Sequence, residues 1–269
     1  MRPPESRSPL QMPPRPLPGQ SVHNSIVDLV FVRLLAPLWI ASTLSVIAIL
    51  ESLATLGHWR RAPGIYAALA GIAAGFCALQ FWSNRREIKQ RQQGRDGERL
   101  VAESLDELRA LGASVFHDVP APGFNLDHVV LSTRGFFVIE TKTWTKPERG
   151  RPHITFAHDS ILFGGQAPQR NPVEQVQAEA GWLRKLLEQS TGRPAFPIKG
   201  ALVFPGLKIQ SMTTAWKRSP HLPWVLPPTG LKRFMEFEPA RISPEDVSLA
   251  ALHLDRYVRS EQAKRAERA

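Results

Sequence analysis

The chain has 269 residues, with 34 Lys and Arg against 24 Asp and Glu for a formal net charge of +10. A mean hydropathy of −0.20 is not that of a chain lying mostly in the membrane, because the apolar residues are unevenly spread, and the single cysteine, Cys77, excludes an intramolecular disulfide and gives no mark of an oxidised extracellular module. Through Arg95 the acidic residues are Glu5, Asp28, Glu51 and Glu87 against 11 Lys and Arg, which puts net +7 in the first 95 residues and +3 in the rest, so the basic balance does not make the whole chain a DNA-binding surface.

Residues 1–25 form a Pro-rich leader, with seven prolines in the first 20 positions, and are expected to be extended and disordered. Residues 26–83 hold two uncharged apolar runs, Leu34–Leu50 and Ile65–Trp82. Each approaches the ~20 residues that a helix needs to cross hydrocarbon, which predicts a two-helix transmembrane hairpin. The first run starts late and has no small-x-small exit, unlike a cleaved signal peptide. Arg60 and Arg61 lie in the connector, and Arg85, Arg86, Lys89, Arg91 and Arg95 follow the second run across a basic juxtamembrane linker, 84–93. The distribution of positive charge predicts a multi-pass protein of the inner or cytoplasmic membrane, with both termini and the soluble domain in the cytoplasm. The Arg85–Arg95 cluster would also meet anionic lipid. Gly71 and Gly75 are spaced for a close helix approach, a pattern common by chance.

The soluble domain spans 94–206, and 207–269 is a C-terminal extension with a short strand and a helix. Glu87–Gly112 has helical periodicity through Leu100, Val101, Leu105, Leu108 and Leu111. A strand at Ala113–His117 and a Pro120–Gly123 loop lead to Asp127. The segments 128–132 and 136–142 are predicted strands around a tight Thr133–Gly135 turn. Side chains alternate along a strand, so Glu140 and Lys142 share a face and Thr141 points away. A hairpin then brings Asp127 across from the Glu140–Lys142 end. Two carboxylates there can hold a hard divalent cation, and Lys142 can orient a water or offset charge on phosphoryl oxygens. The plainer alternative is a charged strand end facing solvent.

A hairpin is expected over His153–Phe163, and a helix from Pro172, capped by Asn171, to about Gln189. Gln175 falls in its first turn, where it can face the site. Strands follow at Lys199–Phe204 and Trp224–Leu226, and Ser243–Asp246 starts the last helix. His117, His128, His153 and His158 are read as strand or loop residues rather than ligands. No P-loop, dinucleotide glycine pattern or nucleophile elbow is present.

Gly97-Glu98 at a helix start, Leu126–Val130, Gly135–Lys142 and Asn171-Pro-(two residues)-Gln175 together resemble the nuclease-related domain (NERD) family, over roughly Gly94 to Gly206. That family is associated with the PD-(D/E)xK nuclease superfamily. The resemblance implies an α/β fold with a mixed β-sheet flanked by helices, a restriction-endonuclease-like core. It implies Asp127, Glu140 and Glu98 as metal ligands, Lys142 as the catalytic lysine and Gln175 as a supporting residue. Leu126 stands where the superfamily has the proline of its Pro-Asp pair. The expected function is a membrane-anchored nuclease using Mg²⁺, or Mn²⁺, on DNA or RNA. The alternatives are a catalytically inactive tethered module that binds nucleic acid or a protein partner, and a lipid-contacting organiser.

Overall fold

The computed structural model describes residues 16–55, 63–144, 153–157, 160–193, 196–211 and 222–268. The chain divides into two compact units, Ser21–Gln93 and a second made of Gly94–Ala269 with the residues up to Gln20.

In the first unit, helix α1 (Gln20–Val30) passes through a π-helical turn at Phe31–Leu35 into α2 (Ala36–Thr55). Helix α3 covers Pro63–Ala110. Arg33 Nη1 donates to Asn84 Oδ1 at 3.2 Å and pairs with Glu87 at 3.4 Å, while Arg91 donates to Ser25 O at 3.1 Å and to Glu87 at 2.6 Å. Arg91 of the expected lipid-binding cluster is thus engaged by protein groups, and Arg85 lies 3.7 Å from the Trp82 ring centroid.

The expected membrane hairpin is corrected here. Among the described residues one helix, Gln20–Leu50, is long and apolar enough to cross a membrane. The second run, Ile65–Trp82, is not an element of its own. It is the first part of the 48-residue α3, whose remainder is charged. Residues 83–93 are mostly good helix formers with no proline or glycine, so nothing in them stops the helix at the end of the apolar run. The two-helix crossing, the multi-pass topology and the membrane contact through two helices are therefore replaced by a single candidate span. Of the predicted connector, 51–64, residues 51–55 belong to α2 and α3 begins at Pro63, while 56–62 lie outside the described residues.

The second unit is built on a five-stranded mixed sheet in the order β1-β2-β3-β6-β8. Strands β1 (Ser114–Ala121), β2 (Phe124–Ser132) and β3 (Gly135–Thr141) form an antiparallel meander, and β6 (Ile198–Val203) and β8 (Trp224–Leu226) add parallel to β3. The expected Pro120–Gly123 loop is shorter than predicted because β1 runs on to Ala121. Pro120 is tolerated there because β1 is an edge strand. One face of the sheet packs Val115, Val130, Phe137 and Ile139 against Val101, Leu105 and Leu108 of α3. The other packs Val129, Leu131, Phe136 and Val138 against Val176, Leu183 and Leu187 of α4 (Pro172–Thr191) and Leu254 and Val258 of α6 (Pro244–Arg268). A mixed sheet flanked by helices is the architecture expected.

A second sheet, β5-β4-β7, joins the hairpin of β4 (His153–Ala157) and β5 (Ser160–Phe163) to β7 (Lys208–Ser211), which is parallel to β4. Strand β7 and the short helix α5 (Leu231–Phe237) were not anticipated. Helix α4 starts as predicted: the Asn171 side chain accepts from Val173 N and Pro172 follows it. Gly192 ends it at φ +66°, a left-handed C-cap.

His117 and His128 face each other across β1 and β2, with both Nδ1 atoms 2.8 Å apart. Arg109 donates to His117 Nε2 at 3.1 Å, so that atom is the acceptor and His117 Nδ1–H donates to His128. His128 then carries its proton on Nε2, which is buried without a partner. Burial, then the Arg109 charge, pushes His117 down to about 4, and burial holds His128 well below the usual histidine range. The pair is a neutral structural element of the sheet.

Candidate active site

The β2–β3 ladder ends at the pair His128–Ile139. Beyond it the strands part, and Asp127 Oδ2 accepts from Thr141 N at 2.7 Å where a ladder carbonyl would otherwise stand. Strand β3 stays pinned on its other side, since Thr141 pairs with Val203 and Lys142 N donates to Val203 O at 2.9 Å. The parting strands leave room for side chains at the end of an otherwise apolar sheet.

Glu140, 4 % exposed, and Lys142 share a face as their alternation requires, and Lys142 Nζ meets Glu140 Oε1 at 2.5 Å. Gln175, in the first turn of α4, ties them together: its Oε1 accepts from Lys142 Nζ at 2.9 Å and its Nε2 donates to Glu140 Oε1 at 2.8 Å. The same Nε2 lies 2.9 Å from Glu179 Oε1, one helical turn on. Glu98 approaches from α3, close enough for the charges of Asp118 and Glu140 to act on it. Glu98 does not open a helix as expected but lies in the interior of α3, because that helix starts at Pro63.

The structure thus gathers all five anticipated residues, Glu98, Asp127, Glu140, Lys142 and Gln175, at one end of the sheet. It adds two carboxylates that sequence reasoning missed. Glu179 is 2 % exposed, and a carboxylate beside Val176, Ala180 and Leu183 on the buried side of α4 was the available signal. Asp118 is buried at φ +51°, the one non-glycine residue with positive φ among the described residues, and Asn125 Nδ2 donates to it at 2.9 Å. Aspartate tolerates that left-handed backbone better than most residues, and strain of this kind gathers at functional sites.

One lysine stands against five buried or half-buried carboxylates. Burial, then the charges of Asp118 and Glu140, raises Glu98 to about 8. Burial, then Glu140, raises Glu179 to about 8. Asp127 is held well above the usual carboxylate range by burial and by Glu140, with the Thr141 N–H opposing. Oε2 of Glu140 and Oε2 of Glu179 are buried without a hydrogen-bond partner. Among the described residues no three carboxylate, histidine or cysteine groups already stand at the spacing of a metal site.

The protons impose a sign on stability. The folded protein keeps Glu98 and Glu179 protonated to about 8, whereas an unfolded glutamate releases its proton near 4.5. Between those values the native state binds more protons, so stability falls as pH rises. The histidine pair drives the opposite slope below about 6.5 by staying neutral in the folded state. The carboxylate effect is therefore clean from about pH 6.5 to 8. Unfolding in chelator is expected to become easier across that window, and Glu179→Gln to flatten the slope. A denaturant midpoint that holds level or rises there would contradict the protonated cluster.

A family model, the nuclease-related domain (NERD), matches residues 93–205, which takes in every residue of this cluster. Neither the comparison with curated proteins nor that with solved structures returned a match.

Proposed function

We propose that this domain is a divalent-metal-dependent nuclease that hydrolyses phosphodiester bonds in DNA or RNA. The observation that supports this most is the buried cluster of Asp127, Glu140 and Glu98 around Lys142, with unpartnered carboxylate oxygens inside the nuclease-related match. Buried carboxylates in this number are stable only when protonated or neutralised by a cation. Their hard oxygen donors fit Mg²⁺ or Mn²⁺ better than a soft metal. Asp127, Glu140 and Glu98 would hold the ion, which would supply Lewis-acid polarisation of the phosphate and a more acidic water. Binding there would displace the protons of Glu98 and Glu179.

Lys142 is placed by Glu140 and Gln175 so that its ammonium can meet phosphoryl oxygens and the charge that grows on them. Gln175 has no charge to contribute and acts as a positioning residue for both. The membership in the PD-(D/E)xK superfamily that the resemblance implies agrees with this arrangement of residues. Lys142 already pairs with Glu140 without a metal, which favours a second reading, a domain that binds nucleic acid or a protein without cutting.

The deciding experiment incubates the purified full-length chain with linear, supercoiled and single-stranded DNA and with RNA, in Mg²⁺, Mn²⁺ or chelator, while calorimetry follows cation binding. Metal-dependent cleavage supports the nuclease. Cation binding by folded protein with no cleavage of any substrate supports the binding module.

A further inference from the structure

A cavity of about 650 Å³ opens beside Lys142 and Gln175, between the start of α4 and the segment that follows β5. Its size falls in the range of small-ligand sites, ~300–1,000 Å³, and is far too small for a duplex. Trp144 and Phe163 form an aromatic surface on its wall, with ring centroids 5.0 Å apart, and buried Phe204 supports Trp144 from the core at 5.1 Å. The segment opposite is fixed in place. Gly164 and Gly165, at φ +57° and +85°, turn the chain, and Phe163 and Gln166 exchange two backbone hydrogen bonds. Further along the same segment Gln169 and Arg170 line the cavity, and Arg170 is exposed and makes no ion pair among the described residues.

Aromatic faces, a cation and an amide at the mouth of a candidate phosphodiester-cleaving centre are the groups that an unpaired nucleotide uses: a base stacks, a phosphate meets the cation, and an amide reaches a base edge. We propose that this cavity receives an unstacked nucleotide, its base against Trp144 and Phe163 and its phosphate on Arg170. The substrate of the neighbouring centre is then single-stranded nucleic acid, or the unpaired end of a duplex. This inference rests on the nuclease reading only for its cleavage consequence; binding is measured apart from it.

The test uses the full-length chain in chelator, where no cutting occurs, with fluorescein-labelled oligothymidylate, oligouridylate and a blunt duplex. Single strands are expected to bind at least about tenfold more tightly than the duplex and to quench tryptophan fluorescence. Trp144→Leu should weaken single-strand binding by about 5- to 150-fold, the range measured for lost base stacking. Arg170→Gln, an exposed change that leaves the core untouched, should lower the slope of log affinity against log salt by about 0.7. Equal affinity for single strands and duplex, or an Arg170→Gln protein with unchanged affinity and salt slope, overturns the proposal. Strand-selective binding that responds to both variants in a protein that cuts nothing upholds the cavity and rejects the nuclease. Cleavage of duplex and single strand at equal rates, unchanged in both variants, upholds the nuclease and rejects the cavity. Matching preferences for thymidylate and uridylate assign the site to bases in general, and a bias assigns it to one nucleic acid.

Discussion

Lys142→Met is expected to lower metal-dependent cleavage by about 10²–10⁴-fold, the range for removing one positioned acid–base or charge-stabilising group. The change takes away the ammonium that Glu140 Oε1 and Gln175 Oε1 both accept from. It should not weaken cation binding, since that ammonium competes with a metal for the same Glu140 oxygen. Asp127→Asn should behave differently. The asparagine oxygen can still accept from Thr141 N, so the parting of β2 and β3 survives, but a carboxylate that would face the proposed cation is lost. Cleavage and Mg²⁺ affinity should then fall together. Calorimetry beside single-turnover cleavage separates the two residues. A Lys142→Met protein that loses metal binding, or one that still cuts at the wild-type rate, would remove the lysine from its assigned role.

The second large effect is expected at Gly97, which precedes Glu98 in α3. A β-carbon there would overlap the Thr143 methyl, with the Thr143 Cβ and Pro205 Cγ next at 3.5 Å. Overpacking at such a contact costs about 1–3 kcal/mol, while alanine in place of a helical glycine gains about 1 kcal/mol in propensity. Gly97→Ala alone should therefore be neutral to destabilising despite better helix propensity, and should weaken Mg²⁺ binding by shifting Glu98. Thr143→Ser removes the obstructing methyl. The double variant is expected to recover metal binding and to match or exceed wild-type stability. A double-mutant cycle by denaturant unfolding should show a coupling of about 1–3 kcal/mol. Simple additivity would mean that the helix and the end of β3 are not packed this closely.

Much of this centre was legible because it depends on local periods. Alternation along β3 puts Glu140 and Lys142 on one face, and the tight turn before Gly135 returns Asp127 to their level. Asn171 and Pro172 announce the start of α4, and hence the place of Gln175. What stayed hidden depends on tertiary context. Glu179 interrupts an apolar stripe, and only the facing Glu140 and Gln175 explain a carboxylate there. Asp118 adopts a backbone conformation that no periodicity announces. The apolar run Ile65–Trp82 satisfied a length criterion, yet the residues after it carry no stop signal and α3 continues through them. Strand β7 is too short to carry a pattern, and its partner β4 lies more than 50 residues earlier.

Strand β8 lies past the end of the nuclease-related match, yet it pairs with β6 through Ala201–Val203, and Trp224 stacks on Phe137 at 5.2 Å. A protein engineered to stop at residue 206 would expose the β6 backbone along that side and strip the cover from Phe137 and Val203. Raw strand edges of this kind recruit other chains. Such a fragment would be expected to self-associate in the expression host, and any inactivity measured on it would report on its solubility instead of its chemistry.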